Sequence, residues 1–213
     1  MHEFIPLSPY EEPRVRKTRA QLYGSQNIPE SAVIVGGAGT TDWRKSPDLF
    51  IQLARAVTKQ TSERPVHFVW VGGANEGIEF GELMHDVRHL GLDKYVHFLG
   101  ARRDYVDVIA SFDIFALVSR EDCFPLVVLE AALLGKPIVC FDGAGGATEF
   151  IGGDAGFSVP YLDIGSMADR VVTLSRSPEL GRRLGEVGRA RVKAQHDVET
   201  IAPKILRIMM RTW

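Results

Sequence analysis

Short apolar runs alternate with helical patterns along most of this 213-residue chain. Buried strands that alternate with helices favour a parallel sheet with right-handed crossover connections. The alternation therefore predicts an α/β fold with a doubly wound, Rossmann-like parallel sheet of about six strands and helices on both faces. Ligands of such sheets bind beyond the carboxyl ends of the strands. The apolar runs are residues 32–35, 66–71, 96–99, 114–118, 137–141 and 156–159, and the intervening helical patterns are residues 47–60, 78–90, 105–111 and 125–134.

The two ends of the chain follow other patterns. Residues 1–13 show no sustained period and predict an extended segment, and residues 14–23 predict a short basic helix. After residue 159 the strands stop, and helices are predicted at residues 164–175, 178–195 and 199–212. The last helix carries an apolar stripe that either packs on its own domain as ordinary core or is left partly exposed in the isolated chain. That stripe consists of Ile201, Ile205, Ile208, Met209 and Trp213.

The most informative stretch is residues 119–135, where Glu130 is the one polar residue between Pro125 and Gly135. An unpaired buried carboxylate is costly, so Glu130 needs a partner and is a candidate site residue. Pro125 suits the first position of a helix, which would place unpaired N–H groups just after Asp122 and Cys123, where a phosphate binds well. Two plainer interpretations remain: Asp122 caps the helix, and Glu130 faces solvent between two apolar stripes.

A glycine-rich turn follows the first apolar run and precedes the first crossover helix. It runs from Gly36 to Lys45 and ends in Arg44 and Lys45, whose charges could neutralise a diphosphate. Asp42 stands where the dinucleotide fingerprint requires its third glycine, and no Walker-type motif is present, so the pattern does not support NAD or P-loop chemistry. A tight strand-to-helix turn without a ligand is the alternative.

Asp122 and Glu130 have seven residues between them and are followed by Ala131, Gly135 and Pro137. This arrangement resembles the paired-acid signature of the retaining glycosyltransferases of family 4, which have the GT-B fold. The resemblance implies that Glu130 binds the ribose hydroxyls of a nucleotide-sugar donor and that Asp122 lies beside the transferred sugar.

The resemblance is imperfect at the first acid, where the family more often has Glu. Glu121 is an alternative first acid, but the spacing to Glu130 and the alignment of Phe124, Pro125 and Leu126 favour Asp122. Asp is one methylene shorter than Glu, so the family's hexose preference does not carry over to this chain.

The resemblance assigns further positions to the donor site. Lys45 matches the lysine that contacts the donor diphosphate, while Thr40 replaces a common arginine whose charge Arg44 could supply. Arg102 either stacks on the nucleotide base or is a solvated surface residue. The loop that begins at Gly143 either closes around a ligand or only forms a turn. The donor-binding residues implied by the resemblance are Gly39, Arg44, Gly100, Arg102, Cys123, Phe124, Pro125 and Leu126, with Asp122, Glu130 and Lys45 as catalytic residues.

Composition excludes several other classes of protein. The formal net charge of −2 makes nucleic acid an unfavourable partner. The two cysteines, Cys123 and Cys140, form no disulfide framework or CxxC site, and no histidine has metal-ligand or triad spacing, so no metal is predicted. No apolar stretch is long enough to span a bilayer and no signal peptide is recognised, which predicts a soluble chain. The two cysteines fall in or beside predicted core elements, which fits a reducing, cytoplasmic setting.

The resemblance implies the donor-binding half of a GT-B glycosyltransferase, with a nucleotide-diphosphate sugar as donor substrate and no other cofactor. Residues 1–31 are then an interdomain linker with a short helix, and residues 32–213 form the donor-binding domain. The acceptor-binding domain is expected to be missing from this chain, so the chain alone should transfer nothing at a useful rate. Membrane-surface association of the longer protein stays open. The rival hypotheses are a non-catalytic nucleotide-sugar-binding or interaction module and the donor half of a GT-B epimerase.

Overall fold

One parallel sheet of six strands organises the computed structural model, which describes residues 3–10, 15–60 and 64–210. The strand order is β3-β2-β1-β4-β5-β6, so the chain winds outward from β1 in one direction and then from β4 in the other. The predicted doubly wound α/β fold is confirmed. The strands are Val33–Ala38 (β1), Val66–Val71 (β2), Val96–Phe98 (β3), Ile114–Leu117 (β4), Ile138–Phe141 (β5) and Gly156–Val159 (β6).

Helices cover both faces of the sheet. Successive side chains of a strand point to opposite faces and pack into two separate cores. In β1, Ile34 packs into one core, whereas Val33 and Val35 pack into the core on the opposite face. The described helices are Val15–Gln26 (α1), Pro47–Thr58 (α2), Ile78–His89 (α3), Tyr105–Ala110 (α4), Leu126–Leu133 (α5), Ala147–Ile151 (α6), Ile164–Arg176 (α7), Pro178–Gln195 (α8) and Val198–Met209 (α9). A short 3-10 helix, Ser8–Tyr10, precedes them.

The first strand is longer than its apolar run, because two glycines assigned to the following loop belong to it. Gly36 pairs with Val69 of β2 and with Phe115 of β4. A Cβ at Gly36 would lie 1.8 Å from the ring of Phe112, and one at Gly37 would lie 2.6 Å from the ring of Trp70. The two glycines therefore make room for aromatic rings in the core, and the loop itself begins at Gly39.

Two helix boundaries also differ from the prediction. Pro125 precedes α5 as its N-cap with an extended ψ of 113°, so the helix begins at Leu126 and not at the proline. Helix α1 continues through Gly24 and Ser25 to Gln26. The predicted helix start at Arg14, the predicted extended residues 1–2 and 11–13, and the helix end at Thr212 lie outside the described residues.

The last helix, α9, has no buried residue among those described. Ile208 is 56% exposed and Met209 is 55% exposed, while Ile201 and Ile205 are half-buried, so the apolar stripe is not ordinary core. Trp213, the last member of the predicted stripe, lies outside the described residues. No helix in the described part of the chain combines the length and apolarity needed to cross a membrane.

Two histidines on neighbouring strands, His67 and His97, form a buried pair. Nδ1 of His67 on β2 lies 3.0 Å from Nε2 of His97 on β3, and the rings stack at 5.4 Å. Burial lowers the pKa of His97 to about 4, and it also lowers the pKa of His67.

We expect this pair to make the protein less stable as the solution becomes acidic. Unfolded histidines take up protons near a pH of about 6.5, whereas the folded pair does so only at lower pH, so the unfolded chain binds more protons in between. The free energy of unfolding should therefore be highest above this window and fall as the pH decreases toward about 4. Urea unfolding at neutral and mildly acidic pH measures the decrease. The loss of unfolding free energy between the two pH values should be smaller in His97→Gln than in the native chain. An equal loss in the variant would show that the histidine pair does not cause the pH dependence.

Candidate active site

The sheet reverses its winding between β1 and β4, and the loops that follow these two strands meet beyond their carboxyl ends. Arg120, just after β4, joins the two loops: its backbone N–H donates to the carbonyl oxygen of Arg44 at 2.9 Å and to Oγ of Ser46 at 3.1 Å. Its guanidinium binds both carboxylate oxygens of Asp48 at 2.8 and 2.6 Å. Such crevices between diverging crossovers are the usual ligand sites of doubly wound sheets.

Lys45 and Asp122 are in direct contact at the centre of this crevice. Nζ of Lys45 donates to Oδ2 of Asp122, and the two side chains are only 15% and 10% exposed. Arg44, which is half-exposed, places a guanidinium nitrogen 3.9 Å from the other oxygen of Asp122. The nearly buried carboxylate therefore lies between two cations, which offset the cost of removing it from water.

The glycine loop after β5 supports Asp122 from behind. The backbone N–H of Asp122 donates to the carbonyl oxygen of Ala144 at 2.8 Å, and the N–H of Gly146 donates to that of Cys123 at 2.9 Å. A Cβ at Gly145 would lie 1.7 Å from the carbonyl oxygen of Asp122. The loop forms a turn that holds the acidic loop in place, and its closure around a ligand stays a prediction.

Helix α5 begins at the edge of the same crevice and brings Glu130 into it. Because Glu130 lies four residues after Leu126, it follows the first helical residue by about one turn and shares its face. The predicted need for a partner is met by two tyrosines. The hydroxyl of Tyr10 donates to Oε1 of Glu130 at 2.7 Å, and the hydroxyl of Tyr105 donates to the same oxygen at 3.1 Å.

The environment of the two phenols keeps them protonated. Burial, reinforced by hydrogen bonds to Tyr105 and Glu130, raises the pKa of Tyr10 far above its ordinary value. Burial likewise raises the pKa of Tyr105. Both hydroxyls are therefore hydrogen-bond donors to the carboxylate at neutral pH.

These residues surround a cavity of about 600 Å³, a size typical of small-molecule sites. The cavity is lined by all but two of the residues predicted to form a donor site. Gly100 and Cys123 are the exceptions, because neither contributes to the wall. The predicted residues that line it are Gly39, Arg44, Lys45, Arg102, Asp122, Phe124, Pro125, Leu126 and Glu130.

Arg102 and Gly100 have structural roles in the loop after β3. Both carboxylate oxygens of Asp104 accept hydrogen bonds from Arg102 at 2.8 Å, and these bonds raise the pKa of the guanidinium. Gly100 adopts a φ of +65°, and its carbonyl oxygen accepts from the N–H of Gly72 at 2.8 Å.

Among the described residues no cluster of three or more His, Cys, Asp and Glu side chains could hold a metal ion.

Several residues of the site had not been singled out from the sequence. Tyr105 and Glu3 line the cavity, Tyr10 binds Glu130 from behind it, and Arg120 fixes the two loops. Tyr105 could have been found, because it begins the helix that follows β3 at the ligand-binding edge. Tyr10 carried no such signal, since its segment lacks any period that relates it to the sheet.

Known proteins share this sequence pattern and fold. The family model described as "Glycosyl transferases group 1" matches residues 30–177. N-acetyl-alpha-D-glucosaminyl L-malate synthase of Bacillus anthracis is 31% identical over 150 residues, which is 70% of this chain and 38% of that protein. D-inositol 3-phosphate glycosyltransferase of Gordonia bronchialis is 30% identical over 197 residues, which is 87% of this chain and 42% of that protein. The chain thus spans about two fifths of the length of these relatives.

Solved structures agree on the fold. Sucrose-phosphate synthase from Thermosynechococcus elongatus superposes with a TM-score of 0.81 and 25% identity, covering 99% of this chain and 51% of that one. HepE from Anabaena, solved in complex with UDP and glucose, superposes with a TM-score of 0.84 and 24% identity, covering 97% of this chain and 55% of that one. These neighbours are GT-B glycosyltransferases, and the chain matches about half of each. The match to the family model over most of the chain shows that this chain belongs to the group 1 glycosyl transferases.

Proposed function

We propose that this chain is the donor-binding domain of a retaining glycosyltransferase that transfers a sugar from a nucleotide-diphosphate sugar to an acceptor in glycan, polysaccharide or glycolipid biosynthesis. One observation carries the proposal: Lys45, Arg44, the start of α5 and Glu130 all line a single cavity beside the β1–β4 crevice. Two cations and a helix N-terminus suit a diphosphate, and a nearby carboxylate suits a ribose diol. Membership of the family supports the same class of reaction.

The proposed mechanism follows from where the charges lie. When the bond between the sugar and the diphosphate breaks, negative charge builds up on the leaving diphosphate. Lys45, Arg44 and the N–H groups at the start of α5 are positioned to stabilise that charge before the reaction begins. An ammonium has three donors, so Lys45 can bind a phosphate oxygen while it keeps its contact with Asp122.

The two carboxylates have different proposed roles. Glu130 accepts hydrogen bonds from the ribose hydroxyls and fixes the nucleotide, which holds the reacting sugar in a productive orientation. Asp122 lies beside the diphosphate cations and orients the transferred sugar. Its backbone N–H donates to the carbonyl oxygen of Ala144 in the loop after β5, and its carboxylate accepts from Nζ of Lys45, so its position is set before the donor arrives.

Transfer is proposed for the whole protein, because the chain covers only 38% and 42% of the two relatives described above. We expect the isolated chain to bind donor and to transfer no sugar at a useful rate, since an acceptor domain would form the other half of the cleft. Incubation of the isolated chain with nucleotide sugars and acceptors tests this expectation. Appreciable transfer would contradict it.

The proposal is tested by a thermal-shift titration with UDP, GDP and ADP on the native chain and on Glu130→Ala. At one hundred times its dissociation constant, a ligand adds about 2.7 kcal/mol of stability, which corresponds to about 5 to 10 °C in a domain of this size. We expect one nucleotide to produce such a shift and the variant to lose most of it, because the ribose hydroxyls lose their acceptor.

Glu82→Ala, on the exposed face of α3, is the matched control and should keep the native shift. A full shift in Glu130→Ala would contradict the ribose role of that carboxylate. The absence of a shift with every nucleotide in the native chain would overturn the proposed function. A rival interaction module makes the opposite prediction for the variant, namely that the shift is independent of Glu130.

A further inference from the structure

Two phenols converge on the same oxygen of Glu130. The hydroxyls of Tyr10 and Tyr105 lie 2.7 and 3.1 Å from Oε1 and 3.5 Å from each other. They come from distant parts of the chain, Tyr10 from the 3-10 helix ahead of the domain and Tyr105 from the start of α4. Two donors aimed at one carboxylate oxygen determine the orientation of the whole carboxylate, because the group is planar.

The second oxygen, Oε2, is left for another donor. No hydrogen bond to Oε2 is found among the described residues, whereas Oε1 accepts two. Glu130 and Tyr105 line the cavity, but Tyr10 does not and is only 8% exposed. Tyr10 therefore acts on the cavity through Glu130 and has no place in its wall.

The segment that carries Tyr10 is fastened to the domain at a second point. The N–H of Ile5 donates to the carbonyl oxygen of His196 at 2.9 Å, and the N–H of Val198 donates to that of Ile5 at 3.1 Å. The ring of His196 stacks on Phe124 at 5.7 Å, and Phe124 lines the cavity. Residues 3–10 thus run from the α8–α9 junction to Glu130 as part of the site.

We propose that Tyr10 is a positioning residue for donor binding: together with Tyr105 it fixes Oε1 of Glu130, so that Oε2 faces the ribose hydroxyls of a nucleoside diphosphate. Residues 3–10 are then part of the donor site and not merely a connection. This inference rests on the proposed function, because it needs the ribose role of Glu130. Donor affinity is accordingly coupled to the docking of residues 3–10 on the domain.

The test compares two probes on three proteins. The probes are whichever of UDP, GDP and ADP stabilises the native chain most, and its 2′,3′-dideoxy counterpart. The proteins are the native chain, Tyr10→Phe and Tyr161→Phe, with dissociation constants measured by calorimetry. Tyr10→Phe keeps the buried ring and removes only the hydroxyl. Tyr161→Phe is the matched control, because its hydroxyl donates to the carbonyl oxygen of Arg120 at 3.0 Å and Tyr161 does not line the cavity.

We expect the native chain to bind the ribose form more tightly than the dideoxy form. In Tyr10→Phe, affinity for the ribose form should fall by about fivefold, the effect of one lost hydrogen bond, while affinity for the dideoxy form stays unchanged. Tyr161→Phe should behave like the native chain. The hydroxyl of Tyr105 also donates to Oε1, so Tyr105→Phe should show the same selective loss of affinity for the ribose form. This variant replaces Tyr10→Phe in the test if Tyr10→Phe folds poorly.

Three results would overturn the inference, and they are distinguishable. If Tyr10→Phe weakens both probes equally, the tyrosine supports the domain in general and does not position Glu130. If the native chain discriminates between the probes and Tyr10→Phe does so equally well, the positioning role is wrong while the proposed function stands. If the native chain binds the two probes equally, the ribose role of Glu130 in the proposed function fails and the inference fails with it.

Discussion

Replacement of Lys45 by alanine is expected to weaken nucleoside diphosphate binding by about tenfold to a hundredfold, the range for a hydrogen bond between charged groups. Lys45 is 15% exposed in its side chain and lines the cavity beside the start of α5. Its ammonium is the one that reaches Asp122, whereas the half-exposed Arg44 stays at 3.9 Å. A screened, half-exposed arginine cannot replace a partly buried ammonium, so most of the diphosphate affinity should disappear. Calorimetric titration with the best-binding nucleoside diphosphate measures the loss.

Two comparisons separate this binding role from a structural one. The nucleoside without its diphosphate should bind Lys45→Ala and the native chain equally, and Lys59→Ala, at an exposed position, should bind both ligands normally. Lys45→Ala also leaves the carboxylate of Asp122 poorly paired, so the double variant with Asp122→Asn should regain stability without regaining diphosphate affinity. Recovery of affinity in the double variant, or equal weakening of nucleoside binding, would contradict the assignment of Lys45 to the diphosphate.

The largest effect on stability is expected from Gly145→Ala. A Cβ at this position would lie 1.7 Å from the carbonyl oxygen of Asp122, and the φ of +144° is unfavourable for any residue with a side chain. Because the clash is with backbone, the loops after β4 and β5 must separate and break the hydrogen bond between Asp122 and Ala144. We expect the free energy of unfolding to fall by more than about 3 kcal/mol, and nucleotide affinity to fall as well, since Asp122 would move.

Gly143→Ala is the matched control, because it lies in the same loop with a φ of +76° and has nothing within 4 Å of the point that a Cβ would occupy. This variant introduces the backbone strain without the clash, so the free energy of unfolding should fall by about 1 to 2 kcal/mol. Urea unfolding of the two variants beside the native chain gives the difference directly. Equal losses would show that the close approach to Asp122 is not what makes Gly145 necessary.

The fold was largely predictable because its strands have a clear local pattern. Runs such as residues 66–71 are wholly apolar apart from one histidine, and they are separated by helical patterns and turn residues. Errors arose where packing overrides local preference. Gly36 and Gly37 look like loop residues, yet they extend β1 because the rings of Phe112 and Trp70 occupy the space of their missing side chains.

The candidate site was predictable to the extent that each loop carries its own chemical signal. Lys45, Asp122 and Glu130 each stood out within a short motif, and the parallel sheet implied that loops following its strands share one edge. Their roles toward a donor remain predictions for the experiments above. The strand order that makes β1 and β4 neighbours, and so brings Lys45 against Asp122, became visible only in the folded chain.

The class of fold, the family and most of the residues around the cavity follow from the amino-acid sequence, because they depend on periodicity and on motifs that are local in the chain. Which side chains complete the site is visible only after folding. Tyr10 reaches Glu130 across 120 positions of sequence, and the contact exists because Ile5 is fastened at the α8–α9 junction while Tyr10 packs into the core. A contact over that separation is created by the packing of distant elements, and no local pattern records it.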